Sequence, residues 1–125
     1  MIETHAHIYA EQFKEDISEV LERAQEVGVQ KIIMPNIDHT SIDAMLELEH
    51  RNPSLCIATM GLHPCSVNKH FEKELYVVEE WINKRPFVAI GEIGTDLYWD
   101  KTFKDQQIEA FKIQADWAKK LKKPI

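Results

Sequence analysis

The sequence predicts an α/β fold in which helices cover a parallel β-sheet. Strand and helix patterns alternate four times along the 125 residues. The strand segments are continuously apolar rather than alternating, which is typical of parallel strands that are buried on both faces. With 44% hydrophobic residues, the chain can bury one ordinary core. We therefore expect a single domain over residues 1–125.

The individual elements are predicted from local patterns. Strands are expected where short apolar runs are bounded by turn residues, at 1–4, 29–34, 55–62 and 87–90. Helices are expected where apolar residues recur at helical spacing: from 13 to a cap at Gly28, from a Thr40-Ser41 cap to Asn52-Pro53, and over 72–84 and 104–122. Pro124-Ile125 resembles the entry to a fifth strand.

Candidate metal ligands follow the predicted strands. Residues i and i+2 of a strand point to the same face, so His5 and His7 can offer two imidazoles to one point. His63 follows the third strand and Glu92 the fourth. Zinc, manganese and iron accept imidazole and carboxylate ligands. Because α/β barrels place their chemistry at the carboxyl edge of the strands, we expect His5, His7 and Glu92 to converge on a divalent metal. A doubly wound sheet would more often have a glycine-rich loop after its first strand, which this chain lacks.

Charge and composition narrow the class of protein. The net charge of −6 argues against bulk electrostatic capture of nucleic acid. A phosphate substrate remains compatible with that charge if a bound cation supplies local positive charge. We see no signal peptide, and the longest apolar run is too short to span a bilayer. Two cysteines without Cys-x-x-Cys spacing suit a reducing compartment. We therefore expect a cytoplasmic protein with no membrane partner.

The motifs, taken together, resemble the TatD family of metal-dependent deoxyribonucleases, which belong to the amidohydrolase-like hydrolases. They occur in order across the entire chain, and their combination is more specific than any one of them. The segments that carry the resemblance are Glu-Thr-His-Ala-His at 3–7, Pro-Asn at 35–36, Gly-Leu-His-Pro at 61–64, Ala-Ile-Gly-Glu-Ile-Gly at 89–94, Asp96, Tyr98-Trp99, Gln107, Phe111 and Gln114.

The resemblance implies a TIM-type (β/α) barrel, of which this chain supplies about the first four strand–helix units. It also implies hydrolysis of DNA phosphodiester bonds, often as a 3′-to-5′ exonuclease. The implied cofactors are divalent Mg, Mn or Zn ions, two of them in the complete enzyme. Carried over by position, His5 and His7 are metal ligands and Glu92 is the shared metal-binding and catalytic carboxylate. His63 and Asp96 are placed beside the substrate.

A full barrel of this type has roughly 250 residues. The family's later ligands would follow Ile125, so we expect the chain to be the N-terminal half of the barrel. Two alternatives stay open: a related metal-dependent amidase or lactonase, and a non-catalytic half-barrel fragment. Many amidase-like relatives use a carboxylated lysine where this chain has Glu92. A half-barrel also exposes strand edges and an inner face that includes Ile33 and Ile90, so we expect self-association.

Overall fold

The computed structural model describes residues 1–125 as helices packed on a parallel sheet. None of the helices has the length and apolar character needed to cross a membrane. Short 3-10 turns lie at Glu11–Phe13 and Pro64–Ser66. The regular elements are, in chain order, β1 (Ile2–Glu3), α1 (Ile17–Glu26), β2 (Lys31–Pro35), α2 (Ile42–Arg51), β3 (Cys56–Thr59), α3 (Phe71–Lys84) and α4 (Lys104–Leu121).

The three strands form one parallel sheet in the order β1-β2-β3. In the register of β2 and β3, Ile32 lies opposite Cys56 and Pro35 lies opposite Thr59. Parallel strands run in one direction, so the loops that leave their carboxyl ends all emerge at the same edge of the sheet. This is the architecture predicted from the sequence, a partial α/β barrel.

The predicted fourth strand is shorter in the structure. Residues 87–90 form no regular strand and touch the sheet through a single parallel bridge between Met60 and Ile90. The Gly91 amide donates to the Met60 carbonyl at 3.0 Å, but the distance from the Met60 amide to the Ala89 carbonyl is 3.5 Å. The second bond lies at the limit of hydrogen-bonding distance, so the ladder does not extend. On the other side, the Ile90 amide donates to the Pro124 carbonyl at 3.0 Å, where the sequence predicts a fifth strand to begin.

The predicted helix caps differ in their outcome. Gly28 follows α1 with φ +88°, the left-handed conformation that glycine adopts most easily, as predicted. Ser41 occupies the N-cap position of α2, but its side chain caps no helical amide. Its hydroxyl instead accepts hydrogen bonds from the amides of Ile37 and Asp38, at 3.2 and 3.3 Å. The predicted capping role is therefore wrong, because this hydroxyl closes the loop before α2.

The core lies between the sheet and the helices. Met34, Met45 and Met60 are completely buried there. The opposite, inner face of the sheet forms an open groove of about 590 Å³. Ile33 lines this groove and is partly exposed, as predicted. Ile90 was expected to be exposed and is instead 1% exposed; it lines a cavity with Ile82 of α3 and Leu121 of α4, and its amide is bonded to the Pro124 carbonyl.

Candidate metal centre

His5 and His7 lie directly beyond β1. The sheet pairing continues past the regular strand, since the Ala6 amide donates to the Ile33 carbonyl at 3.1 Å. His5 and His7, which flank Ala6, therefore point to the same side of the sheet, opposite to the Ala6 side chain. The His5 amide also donates to the Glu3 carboxylate at 2.8 Å. Both imidazoles are held at the carboxyl edge by this short extended segment.

Glu92 lies at the same edge of the sheet, two residues after Ile90, which forms the bridge to Met60. Its amide donates to the Asn36 carbonyl at 3.2 Å, and the Asn36 amide donates to the Gly91 carbonyl at 3.3 Å. The fully buried Asn36 side chain donates to the Gly61 carbonyl at 2.9 Å. The Thr59 hydroxyl donates to the Gly91 carbonyl at 3.0 Å. This network fixes the backbone that carries Glu92 against the ends of β2 and β3.

The structure brings His5, His7 and Glu92 together, as the sequence predicts. Their ligand atoms all lie within 4.8 Å of one another. Glu92 Oε2 is 3.0 Å from His5 Nε2 and 3.2 Å from His7 Nε2, and the two Nε2 atoms are 3.2 Å apart.

The buried Glu92 Oε2 makes no hydrogen bond of acceptable geometry despite these short distances. A buried carboxylate oxygen without a donor carries an unfavourable desolvation cost, which a shared cation would remove. Two imidazoles and a carboxylate are also a donor set that zinc and manganese accept. The residues present therefore fit a divalent metal.

The protonation of His7 suits a ligand. Burial lowers the pKa of His7 below its usual 6.5, and the nearby Glu92 carboxylate opposes that shift only in part. His7 is therefore neutral at neutral pH. Since a metal binds only the neutral imidazole, no proton has to be displaced from a charged ring there.

His63 lies beside this cluster and is held differently. Its Nδ1 accepts a hydrogen bond from the Cys65 amide at 2.9 Å, so in the neutral ring the proton is on Nε2. Nε2 lies 3.2 Å from Glu92 Oε1 and can donate to it. A nitrogen that carries a proton has no lone pair for a metal. His63 is therefore a hydrogen-bond donor at the edge of the cluster, and its position beside the substrate stays a prediction.

The turn that follows His63 is anchored by Asp38. The Ser66 hydroxyl donates to the Asp38 carboxylate at 3.1 Å, and the Thr40 amide does so at 2.9 Å. Burial alone would raise the pKa of Asp38, but hydrogen bonds from Thr40 and Ser66 outweigh it and lower the pKa. Asp38 is thus ionised at neutral pH and ties the loop after β2 to the turn after His63.

Asp96 is near the cluster without joining it. Its carboxylate accepts from the Cys65 thiol at 3.4 Å and from the Tyr98 amide at 2.9 Å. With Cys65 and Trp99, it lines an open cleft of about 450 Å³. Asp96 is therefore a wall residue of this cleft and not a member of the three-ligand cluster, and its predicted place beside the substrate stays a prediction.

Two glutamines of α4 fix the loops around the cluster. The Gln107 side chain accepts from the Asp96 amide at 2.8 Å and donates to the Asp96 carbonyl at 3.0 Å. The Gln114 side chain accepts from the Leu62 amide at 2.7 Å, next to His63. Both glutamines are buried, so these bonds replace contacts that the loop backbone would otherwise make with water.

Sequence reasoning missed one residue in contact with the cluster. The Tyr9 hydroxyl lies 2.8 Å from Nδ1 of His7. Burial raises the pKa of Tyr9 above its usual range, so the hydroxyl keeps its proton. A tyrosine two residues after the second histidine is visible in the sequence. Tyr9 was not predicted as a partner of His7 because its contact depends on the turn that follows His7, where the Ala10 amide donates to the His7 carbonyl.

Comparisons with known proteins agree with this geometry. A family model described as TatD related DNase matches residues 2–125. The uncharacterized metal-dependent hydrolase YabD of Bacillus subtilis is 36% identical over the whole chain, which corresponds to 49% of YabD. The 3'-5' ssDNA/RNA exonuclease TatD of Edwardsiella piscicida is 28% identical over the whole chain and 48% of that protein.

Among solved structures, the crystal structure of YjjV, a TatD homologue from Escherichia coli K12, superimposes with a TM-score of 0.89 at 32% identity. That match covers 99% of this chain and 48% of YjjV. The chain thus spans about half the length of the relatives it matches. Since the family model covers nearly every residue, the chain belongs to the TatD-related DNase family.

Proposed function

We propose that this chain is the N-terminal half, residues 1–125, of a metal-dependent barrel hydrolase that cleaves DNA phosphodiester bonds. The observation that carries the proposal is the convergence of His5, His7 and Glu92 around an unpartnered carboxylate oxygen. The family to which the chain belongs and the exonuclease name of its Edwardsiella relative support DNA as the substrate and 3′-to-5′ release as the mode of attack.

In this proposal, His5, His7 and Glu92 would hold a divalent Mg, Mn or Zn ion, and the Glu92 carboxylate would be shared with the second ion of the complete enzyme. A bound divalent metal supplies an activated water and neutralises charge on phosphoryl oxygens. The Nε2–H of His63, which lies 3.2 Å from Glu92 Oε1, would donate instead to a phosphoryl oxygen when the substrate is bound. Asp96 borders the neighbouring cleft and orients the rest of the nucleotide.

The net charge of −6 is compatible with a DNA substrate under this mechanism. The attraction for phosphate is local to the metal centre, so a basic surface is not required. Such an enzyme binds DNA weakly away from its site, and its activity depends on the metal rather than on a positive groove.

The test is release of nucleotides from single-stranded DNA by the full-length protein in the presence of Mg²⁺ or Mn²⁺. Glu92→Gln keeps the side-chain size but removes the charge that holds the cations, so we expect activity to be lost. Glu72→Gln is the matched control, because Glu72 is exposed at the start of α3, away from the cluster. Undiminished release by Glu92→Gln would contradict the proposal. Cleavage of a lactone or amide but not of DNA would contradict its substrate class.

We also propose that the edges of this half-barrel are covered in the working protein. β1 is an edge strand, and the groove of about 590 Å³ on the inner face of the sheet is partly apolar. Isolated residues 1–125 are therefore expected to self-associate through these edges. Sedimentation showing a cooperatively unfolding monomer of these residues would contradict that expectation.

A further inference from the structure

Tyr9 lies two residues beyond His7 and folds back onto it. The chain reverses at this point, since the Ala10 amide donates to the His7 carbonyl at 3.0 Å. This turn places the Tyr9 hydroxyl 2.8 Å from Nδ1 of His7, on the side of the imidazole away from Glu92. The ring of Tyr9 is partly buried and packs against the core, which limits its freedom.

The direction of the hydrogen bond between Tyr9 and His7 is fixed by Pro35. The Tyr9 oxygen is 2.5 Å from the Pro35 carbonyl, and a carbonyl can only accept. A tyrosine hydroxyl has one proton, so that proton goes to Pro35. The same oxygen must then accept from His7, which places the proton of the neutral imidazole on Nδ1. His7 Nε2 is left with its lone pair directed toward the cluster, 3.2 Å from Glu92 Oε2.

The other two histidines show that this arrangement is specific to His7. His63 is held in the opposite tautomer by the Cys65 amide. Nδ1 of the more exposed His5 has no hydrogen-bond partner, and the only polar neighbours of its ring are the cluster atoms around Nε2. The protein therefore sets His7 as an acceptor and His63 as a donor through groups outside the cluster, and gives His5 no such partner.

We propose that Tyr9 is a positioning residue that holds His7 in the tautomer and orientation needed to bind a divalent metal through Nε2. This inference rests on the proposed function, in which His7 is a ligand. A partner on the second nitrogen of a ligating histidine is typically worth about 10–100-fold in metal affinity. Because Tyr9 touches no substrate or metal in this account, its effect reaches the reaction through His7 alone.

The experiment compares Tyr9→Phe with wild type in the full-length protein. Phenylalanine keeps the packing of the ring and removes only the hydroxyl. Tyr76→Phe is the matched control, because Tyr76 is exposed on α3 and its hydroxyl has no partner. Three quantities are measured: the ¹⁵N shifts of the His7 ring in metal-free protein at a pH where it is neutral, the affinity for Mn²⁺, and the thermal midpoint.

In wild type and Tyr76→Phe, we expect the His7 shifts of an Nδ1-protonated ring. In Tyr9→Phe, we expect a mixture of tautomers at His7, unchanged His5 shifts, and Mn²⁺ affinity lower by about 10-fold or more. Unaltered His7 shifts and unaltered Mn²⁺ affinity in Tyr9→Phe would overturn the role of Tyr9 and leave the proposed function intact. A wild type that binds no divalent metal would overturn the proposed function, and the role of Tyr9 with it. A lower thermal midpoint with unchanged tautomer and affinity would show a purely structural role, which also overturns the inference.

Discussion

A single methyl group added at Gly61 should move Glu92 away from His5 and His7. Gly61 follows the Met60 bridge, and its Cα faces the backbone of Gly91 and Glu92. An alanine Cβ at this position would lie 2.7 Å from the Gly91 carbonyl carbon and 2.8 Å from the Glu92 oxygen. Ordinary contact begins at 3.4 Å, so one backbone segment must move by about 0.7 Å.

The size of the effect follows from that displacement. The atoms in conflict belong to the backbone, so no side-chain rotation can relieve the overlap. Overpacking of this kind typically costs about 1–3 kcal/mol of stability. A shift of about 1 Å at a reacting group can cost about 100-fold in rate. We therefore expect Gly61→Ala to be moderately destabilised, to bind Mn²⁺ at least about 10-fold more weakly, and to lose most nuclease activity.

Gly28→Ala is the control that distinguishes a general loss of stability from a loss of metal binding. A Cβ at Gly28 would meet nothing within 4 Å, but the residue has φ +88°. Alanine in that conformation costs about 1–2 kcal/mol, comparable to the expected cost at Gly61, and Gly28 is remote from the cluster. Urea unfolding and Mn²⁺ titration of both variants make the comparison. Equal Mn²⁺ affinity in Gly61→Ala and Gly28→Ala would show that Gly61 does not position Glu92.

Two further predictions concern the supports of the site. Gln114→Leu leaves the buried Leu62 amide without an acceptor, so we expect a loss of about 1–3 kcal/mol in urea unfolding. The exposed Gln25→Leu should stay within about 0.5 kcal/mol of wild type, and equal losses in the two would contradict the role of Gln114. Asp38 has a lowered pKa, so its ionised form stabilises the fold at and above pH 3.8, and that contribution disappears as the pH falls further. The free energy of unfolding of Asp38→Asn should therefore fall less steeply than that of wild type as the pH drops below 3.8. The same steepness in both proteins would contradict a stabilising role for ionised Asp38.

Much of the fold follows from local patterns in the sequence. A parallel strand buried on both faces must be apolar throughout, so β2 and β3 could be located within a few residues of their observed bounds. The fourth strand depends on neighbours on both sides, and its pairing at Ile90 is set by distances that no local pattern encodes. The same limit explains the error at Ser41, where a nearby loop competes with the helix for one hydroxyl.

Only part of the candidate site could be predicted from the sequence. His5, His7 and Glu92 could be predicted to meet because strand direction and the two-residue period place them at one edge. Tyr9 and Asn36 contact or support that cluster through a turn and a loop, whose geometry depends on the folded chain. Gly61 looks like an ordinary loop glycine until the approach of the Gly91 backbone is known.

We predict that His5, His7 and Glu92 share one divalent cation. Crystals of the full-length protein grown with Mn²⁺ test it through the anomalous signal at the manganese edge. We expect an anomalous peak about 2.0–2.3 Å from His5 Nε2, His7 Nε2 and a Glu92 carboxylate oxygen. The same peak should be absent from crystals of Glu92→Gln. Full Mn²⁺ occupancy at a position that contacts none of the three residues, or no Mn²⁺ in wild type at saturating concentration, would contradict a cation shared by His5, His7 and Glu92.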